Sequence, residues 1–314
     1  MFSRATLTLL LALACSMWLL TACTGGHESI TGEMHTIQLG PEKSLELPVY
    51  VSRLVPANAA VLDFCAALVG PERVAALPKA TLHYSNIPEA RRGPWAELPV
   101  MEGLHLEDLA SANVDLVIAH DWQEPSLAPV LERAGIPVLF LPTVTSTNDI
   151  LKSMHLTSLA MNVPDKGVEQ NTLLRQRIAN LRTRGEALAK VSAMVYSNYG
   201  AGGGTSGSGT SYDVMIQLAG LKNAAAEAGI DGHADLDMEG LLTIQPDHII
   251  LSGGPDGSSA SFDALKSQLS GAPIKAVNEE RIVLLLPNQL TTTSQFLLDA
   301  AEDLQSQIIA MSSK

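Results

Sequence analysis

The 314-residue sequence has few charged residues, 17% of the total, and its 20 lysines and arginines are outnumbered by 33 acidic residues. The net charge of −13 excludes the basic surface that nucleic-acid-binding proteins present. Cysteine is scarce as well, because Cys15 and Cys23 lie in an apolar N-terminal segment and leave Cys65 alone in the body of the chain. One thiol cannot form an internal disulfide. The fold must therefore rest on a hydrophobic core, which a hydrophobic content of 46% can supply in a chain long enough for two modest domains.

Motifs of two enzyme classes are also missing. No G-K-[ST] occurs, which excludes a P-loop, and the serines near position 206 lack the G-x-S-x-G spacing of a hydrolase nucleophile. A glycine-rich loop at 200–209 does contain G-x-G-x-x-G spacing, at 202–207, after a strand and before a helix. This match leaves a dinucleotide-binding oxidoreductase as an alternative, with Glu227 nearest to the place of the ribose-binding acid.

The N-terminus has the features of an export signal. Arg4 precedes an apolar run at 7–20 that is shorter than a membrane-spanning helix needs. The run ends in LTAC at 20–23, which resembles the lipobox of bacterial lipoproteins, where the cysteine is lipidated and becomes the first residue of the mature protein. We therefore predict a signal peptide at 1–22, lipidation of Cys23, a flexible tether at 23–46, and a location in the cell envelope, exported and anchored to a membrane.

One long amphipathic helix is predicted near the middle of the chain, at 164–190. Leu174, Ile178, Leu181 and Leu188 recur at helical spacing, and Asp165 is placed to cap the first amides. Short apolar strands alternate with helices on both sides of it, at 47–163 and at 191–314. This alternation predicts an α/β fold of two Rossmann-like lobes, joined by one long rigid helix, with a ligand cleft between the lobes.

The candidate ligand residues follow from where parallel strands end, since ligands in such sheets bind beyond the carboxyl ends of the strands. In the first lobe this rule points to Asn58, to His120 and Trp122, and to a long irregular segment at 79–103 that contains His83 and Tyr84. These strand ends offer too few histidine and carboxylate side chains for a site that binds bare zinc or manganese.

A short pattern occurs once in each lobe. Residues 104–109 read LHLEDL and residues 236–241 read LDMEGL, and in each copy an aspartate follows the glutamate after eight residues and opens an apolar strand. The glutamates are Glu107 and Glu239, each in the first turn of a predicted helix, where the helix dipole favours a negative charge. The aspartates are Asp115 and Asp247. The repeat indicates two similar lobes.

Taken together, these features resemble the cobalamin, ferric-siderophore and haem class of ABC-transporter solute-binding proteins. The resemblance covers about residues 49–309 and is carried by SRLVPAN at 52–58, YSNIP at 84–88, GLHLE at 103–107 with DLVI at 115–118, the long helix, the glycine-rich loop, LAG at 218–220 with Asn223, and Glu239 with PD at 246–247. It implies a binding protein, not an enzyme, that captures a metal chelate and delivers it to an ABC permease. It also implies that Glu107 and Glu239 contact arginines of the permease, that the protein is a monomer, and that it needs no cofactor.

The resemblance leaves the chelate open among ferric siderophore, haem and cobalamin. Cobalamin binders carry a tryptophan where this chain has Met101. Siderophore binders often use an arginine cluster, for which Arg53, Arg91 and Arg92 are available. Haem binders offer a tyrosine or histidine to the iron. The predicted ligand-binding residues are Asn58, His83, Tyr84, Trp95, Met101, His120, Trp122, Tyr199, Gly202, Gly203, Tyr212 and Asn288. A third alternative is a sensor or scaffold lipoprotein that has the same fold but takes no part in transport.

Overall fold

A computed structural model describes residues 33–123, 128–198, 203–254, 260–268 and 271–313. The predicted signal peptide, Cys23, Tyr199 and Gly202 lie outside the described residues. The strands of the first half are β1 Met34–Gln38, β2 Ser44–Pro48, β3 Leu54–Pro56, β4 Leu77–Pro78, β5 Val100–Met101, β6 Leu116–His120 and β7 Val138–Leu141. Its helices are α1 Ala59–Leu68, α2 Thr81–Tyr84, α3 Glu89–Ala96, α4 Leu106–Ser111, α5 Ala128–Arg133 and α6 Thr147–Ala160, with a 3-10 turn at Pro71–Arg73.

The long helix α7 spans Pro164–Gly185 and is followed by a 3-10 turn at Glu186–Leu188. The strands after it are β8 Ser192–Val195, β9 Ser197–Asn198, β10 Gly203–Ser206, β11 Lys222–Asn223, β12 His233–Asp235, β13 His248–Ser252 and β14 Ile282–Leu285. The helices are α8 Ser211–Leu218, α9 Ala224–Glu227, α10 Met238–Ile244, α11 Ala260–Gln268, α12 Lys275–Asn278, α13 Pro287–Leu290 and α14 Leu297–Ser312.

Each half is built on a parallel sheet. In the first half the order is β3-β6-β7, and a bridge between Leu54 and Val74 places the parallel pair β4-β5 beside β3. In the second half the order is β11-β8-β13-β14, again with every pair parallel. Helices connect the strands because successive parallel strands need a crossover. The predicted α/β class is confirmed.

The repeated aspartates make the same contact in both sheets. Asp115 lies just before β6, and its carboxylate accepts hydrogen bonds from the backbone amides of Ser52, at 2.9 Å, and Arg53, at 3.1 Å, which precede the neighbouring strand β3. Asp247 lies just before β13 and accepts from the amide of Ser192, at 2.9 Å, where β8 begins. In each lobe the carboxylate therefore fixes the start of one parallel strand against its neighbour. Burial by itself raises the pKa of Asp247, but hydrogen bonds from the backbone and side chain of Ser192 hold this pKa below its usual value.

Helix α7 packs against both halves along its length. It contacts α6 and α1 of the first half and α8 and α14 of the second. Leu174, Ile178 and Leu181 are buried on its inner face, as the spacing predicted, and Arg177 bonds Glu302 of α14 at 3.0 Å. The predicted cap by Asp165 is wrong, because no side chain caps the helix. Pro164 at the first helical position has no amide hydrogen, so the helix starts with one unpaired donor fewer.

The two halves also share one hydrophobic core, so α7 is not their sole connection. A single cluster of buried residues joins α1 and α6 to α7, α8 and α14, with Phe64, Met154, Met215 and Leu304 among its members. This shared core around α7, together with the hydrogen bond from Ser294 to Asp63 of α1 at 2.9 Å, favours small rocking of the lobes over a wide hinge motion.

Two segments differ from their predictions. The predicted tether at 23–46 is partly ordered, because β1 and β2 pair as an antiparallel hairpin that buries Ile37 and Leu47 in the core. Alternate side chains of a strand point the same way, so one face of a hairpin can join the core. The segment at 79–103, predicted to be irregular, contains α2, α3 and β5.

Candidate functional site

Three side chains meet where β3 and β6 end. Asn58 caps α1, because its side-chain oxygen accepts a hydrogen bond from the backbone amide of Val61 at 3.0 Å. This bond turns the Nδ2 group of Asn58 toward the other two residues. Nδ2 donates to Nδ1 of His120, at 3.0 Å, and to Oε1 of Gln123. Because Nδ1 of His120 accepts, its proton lies on Nε2, which is buried and has no partner among the described residues. The sequence predicted Asn58 and His120 from the strand ends but missed Gln123, which the same rule would have included.

His120 is a neutral, buried residue that supports the surface above it. Its side chain is completely buried, and burial lowers the pKa of His120 to about 4, against a smaller rise caused by the charge of Asp121. Trp122 stacks on it with ring centroids 5.8 Å apart and an interplanar angle of 18°. Trp122 itself is 56% exposed, so one face of its ring is open to solvent while the other stacks on His120.

A second aromatic surface lies at the end of β4. Tyr84 closes α2, is 50% exposed and contacts the ring of His83 edge to face. Two residues later, Asn86 donates from Nδ2 to the backbone oxygen of Asn288 in α13, at 3.1 Å. Helix α13 directly follows the carboxyl end of β14. This hydrogen bond therefore joins the segment after α2 in the first lobe to the helix that follows β14 in the second.

The second lobe contributes a polar depression of about 400 Å³. It is lined by Ser197, Thr205, Ser206, Tyr212, His233 and Asp235. Thr205 donates to the backbone oxygen of Val195, the last residue of β8, at 2.7 Å, which places the depression at the carboxyl end of that strand. The ring of His233 lies between Ser206, whose Oγ is 2.9 Å from Nδ1, and Tyr212, whose ring centroid is 5.9 Å away. His233 and Asp235 were missed, because a three-residue antiparallel strand has no distinct sequence signal.

Three predicted ligand residues are instead structural. Trp95 is 3% exposed and packs in the shared core, and Met101 is 8% exposed in the cluster beneath β6. Gly203 is buried in β10, where a Cβ would lie 2.2 Å from the hydroxyl of Tyr196, so the glycine is required for that ring to pack. Their neighbours cover these three residues, so a role in ligand binding stays a prediction that their burial does not favour.

The structure also does not place the arginines as a cluster that could bind an anion. Arg53 donates to the backbone oxygen of Ala112, Arg91 to that of Ala66 at 2.9 Å, and Arg92 to that of Ser85 at 3.0 Å. Each guanidinium is therefore engaged by the backbone of its own lobe. No group of three or more His, Cys, Asp and Glu side chains in the described parts of the chain is arranged to hold a metal ion.

The glycine-rich stretch lacks the setting that a dinucleotide fingerprint requires. Such a fingerprint forms the tight turn between a strand and the helix that binds the pyrophosphate. Here Gly203–Ser206 form strand β10, which pairs with β9 and β12, and α8 starts only at Ser211, capped by the hydroxyl of Thr210. The oxidoreductase alternative therefore loses the motif on which it depended.

Glu107 and Glu239 occupy equivalent positions in the two lobes. Each is exposed in the first turn of a short helix, α4 or α10. In the part of the chain that the structure describes, neither carboxylate takes part in an ion pair.

The family model for periplasmic binding proteins matches residues 85–309, which is well over half of the chain. The chain belongs to the periplasmic binding protein family. No curated protein matches its sequence. Of the helices in the described ranges, none is both long and apolar enough to cross a membrane.

Solved structures of other binding proteins share the fold of this periplasmic binding protein. The haem-binding protein RhuT from Roseiflexus sp. RS-1, in apo form, is 23% identical with a TM-score of 0.71, over 83% of this chain and 99% of its own. The vitamin B12-binding protein BtuF of Vibrio cholerae is 18% identical with a TM-score of 0.66, over 84% and 98%. A protein of an Fe³⁺-hydroxamate transport system from Saccharomonospora viridis is 20% identical with a TM-score of 0.70, over 89% and 99%. The predicted class and its fold of two lobes joined by a long helix are confirmed.

Proposed function

We propose that this protein is the solute-binding component of an ABC importer, and that it captures a metal chelate between its lobes and delivers it to the permease. The observation that carries the proposal is the hydrogen bond between Asn86 and Asn288, because it joins the two lobes beside the carboxyl end of β14. In α/β sheets of this kind, ligands bind beyond the carboxyl ends of the strands. The proposal includes lipidation of Cys23 and the lobe limits 47–163 and 191–314, with the β1-β2 hairpin added to the first lobe. It includes no catalytic step.

The ligand surface of the proposal combines both lobes. Trp122 and Tyr84 supply exposed aromatic faces from the first lobe, and the depression around Tyr212 and His233 supplies polar groups from the second. A few convergent polar groups beside aromatic walls suit a bulky ligand. The solved haem, B12 and Fe³⁺-hydroxamate transport proteins support a metal chelate as that ligand.

Binding should depend on Trp122 and Tyr84. We expect Trp122→Ala and Tyr84→Ala each to weaken the affinity for the chelate by about 10- to 100-fold, because each removes a large, rigid contact surface. The measurement is titration calorimetry against haem, cobalamin and an iron(III) hydroxamate. In the unsubstituted protein, tryptophan fluorescence should also fall, since Trp122 is exposed and Trp95 is covered.

The matched control for these variants is Tyr50→Ala. Tyr50 is also exposed, at 62%, but its ring packs under Arg73 before β3 begins, away from the strand ends. Equal losses of affinity in all three variants would contradict the site, and failure of every chelate to bind would contradict the function.

The docking part of the proposal assigns Glu107 and Glu239 to contacts with arginines of the permease. We expect Glu107→Lys and Glu239→Lys to lower chelate uptake by cells at least about tenfold while the affinity for the chelate stays within about twofold, since like charges across an interface cost several kcal/mol. Glu169→Lys, on the exposed face of α7, should leave uptake unchanged. Fractionation of the same cells tests the anchor, because a protein lipidated at Cys23 should be recovered with the membranes.

Two outcomes would revise the docking assignment. A fall in affinity would show that the glutamates are part of the ligand surface. Normal uptake in both variants would favour the sensor or scaffold alternative, in which the two glutamates are dispensable.

A further inference from the structure

We infer that the site selects chelates by charge, and that it takes an uncharged or positively charged iron(III) chelate and rejects anionic ones. The inference rests on the proposed function, because it concerns the ligand of the same site. It depends on the charges that the two lobes place at the carboxyl ends of their strands.

Positive side chains are nearly absent from these strand ends. The sequence contains no lysine or arginine at 93–132, 134–151, 191–221, 223–265 or 282–313. These ranges include every segment that follows β5, β6, β7, β8, β13 and β14, including the stretches 124–127, 199–202 and 255–259 that lie outside the described residues. The two residues between β3 and α1 add none.

The one cation at a strand end is already matched by an anion. Lys79 directly follows β4, and its Nζ is 3.0 Å from a carboxylate oxygen of Glu102, which follows β5. Both side chains are mostly exposed, so the pair is weak and leaves no net charge for a ligand. The nearest arginines lie elsewhere or are paired. Arg53 precedes β3, at the amino end of the strand, and Arg91 donates to the backbone oxygen of Ala66 in the last turn of α1. Arg92 forms an ion pair with Glu89 at 3.6 Å.

Unpaired carboxylates remain in both lobes. Asp121 follows β6 and is exposed, and its carboxylate accepts a hydrogen bond from the hydroxyl of Thr143. Asp235 is exposed at the rim of the depression in the second lobe. Neither takes part in an ion pair among the residues that the structure describes, so each adds negative charge at the end of its strand.

Helix N-termini could still attract an anion through their dipoles. At the starts of α1 and α8 a side chain of the protein already occupies this position. The side chain of Asn58 caps α1, and the hydroxyl of Thr210 caps α8, whose first turn also contains the carboxylate of Asp213. An anion between the lobes would thus lose hydration without gaining an opposite charge, which costs several kcal/mol.

Iron(III) chelates differ in net charge, and this is the property by which the site would distinguish them. Three singly charged bidentate groups, as in a trihydroxamate, cancel the charge of Fe³⁺, and a free amine on the same scaffold makes the complex positive. Three catecholates leave it with a charge of −3, and haem carries two carboxylates. Selection against the anionic members follows from repulsion and from the missing counter-charge.

The test compares four probes on the full-length protein by titration calorimetry: an uncharged iron(III) trihydroxamate, its amine-bearing analogue, an iron(III) tricatecholate, and haem. We expect the first two to bind at least about 100-fold more tightly than the last two. We also expect Asp121→Asn and Asp235→Asn to reduce the preference for the amine-bearing analogue over the uncharged one, and 0.5 M salt to reduce it too. Asp165→Asn, an exposed aspartate at the start of α7, is the control and should change neither ratio.

The possible results separate the charge inference from the proposed function and from the role of the two aspartates. Tightest binding of the tricatecholate or of haem would overturn the charge inference and leave the proposed function in place. Binding of none of the four, nor of cobalamin, would overturn the proposed function and the inference with it. An unchanged preference in both aspartate variants, with the anionic probes still rejected, would overturn the assignment of the selection to these two carboxylates.

Discussion

Replacing Asp63 by alanine is expected to lower the free energy of unfolding by about 3 to 5 kcal/mol, because it leaves several buried donors without an acceptor. Asp63 is 1% exposed in α1. Its carboxylate accepts the hydroxyl of Ser85 at 2.7 Å and the amide of Asn86 at 2.9 Å from the first half. From the second half it accepts the hydroxyl of Ser294 at 2.9 Å, and its backbone oxygen accepts Nε2 of Gln295 at 2.8 Å. The substitution therefore removes a contact between the lobes as well as a local one.

Chemical denaturation measures this loss, and Asp165→Ala is its control. Asp165 is exposed in the first turn of α7 and caps nothing, so its removal should cost at most about 0.5 kcal/mol through the helix dipole. A loss below about 1 kcal/mol for Asp63→Ala would show that water or neighbouring groups replace the carboxylate.

Asp63 should also make stability depend on pH. Burial raises the pKa of Asp63 from 3.8 to about 6, although hydrogen bonds from Ser85, Ser294 and Asn86 lower it. Between these two values the folded state binds more protons than the unfolded state, so this group's contribution to stability is full below about pH 4 and falls as the pH rises through 6. The difference in unfolding free energy between the natural protein and Asp63→Asn, which cannot titrate, should therefore fall by about 2.5 kcal/mol from pH 4 to pH 7. A flat difference would contradict the raised pKa.

Gly220→Ala should destabilise the fold by about 3 to 4 kcal/mol, through backbone strain and steric overlap together. Gly220 has a φ of +87°, a conformation that costs an alanine about 1 to 2 kcal/mol. A Cβ there would also lie 2.3 Å from the Cα of Gly185, at the end of α7, so the helix could not keep its distance from the turn after α8. Thermal or denaturant unfolding measures the loss.

Gly229→Ala separates the two causes. Its φ of +83° is nearly the same, but nothing lies within 4 Å of the Cβ that the substitution would add. It should therefore show the backbone cost alone, about 1 to 2 kcal/mol. If both variants lost the same stability, the close approach of α7 to the second lobe would contribute nothing.

Much of the architecture could be predicted because its causes are short-range. The stripe of Leu174, Ile178 and Leu181 follows from helical periodicity, and the buried strands β6 and β13 follow from continuous apolar runs opened by Asp115 and Asp247. The family resemblance rested on the order of such local features. The rule for strand ends likewise found Asn58, His120 and Trp122, since it needs only the direction of a strand and not its neighbours.

The structure differs from the sequence-based expectations in properties that depend on partners distant in the sequence. Trp95 looked like an aromatic wall, but the hydrophobic core covers it, and no local pattern distinguishes the two environments. The glycine-rich stretch looked like a loop, yet Gly203 forms a strand because the ring of Tyr196 lies against it and β12 pairs with it.

The sequence by itself determined the α/β class, the long helix, the membership of the family and the scarcity of positive charge at the strand ends, because composition, periodicity and motif order are properties of neighbouring residues. Only the tertiary structure decided which polar groups are satisfied and which are left for a ligand. Asp63 meets Ser294 across 231 positions of sequence, and Asn86 meets Asn288 across 202. Hydrogen bonds between such distant groups exist only once the chain has packed. The sequence therefore showed Arg53, Arg91 and Arg92 but not the backbone oxygens to which they donate.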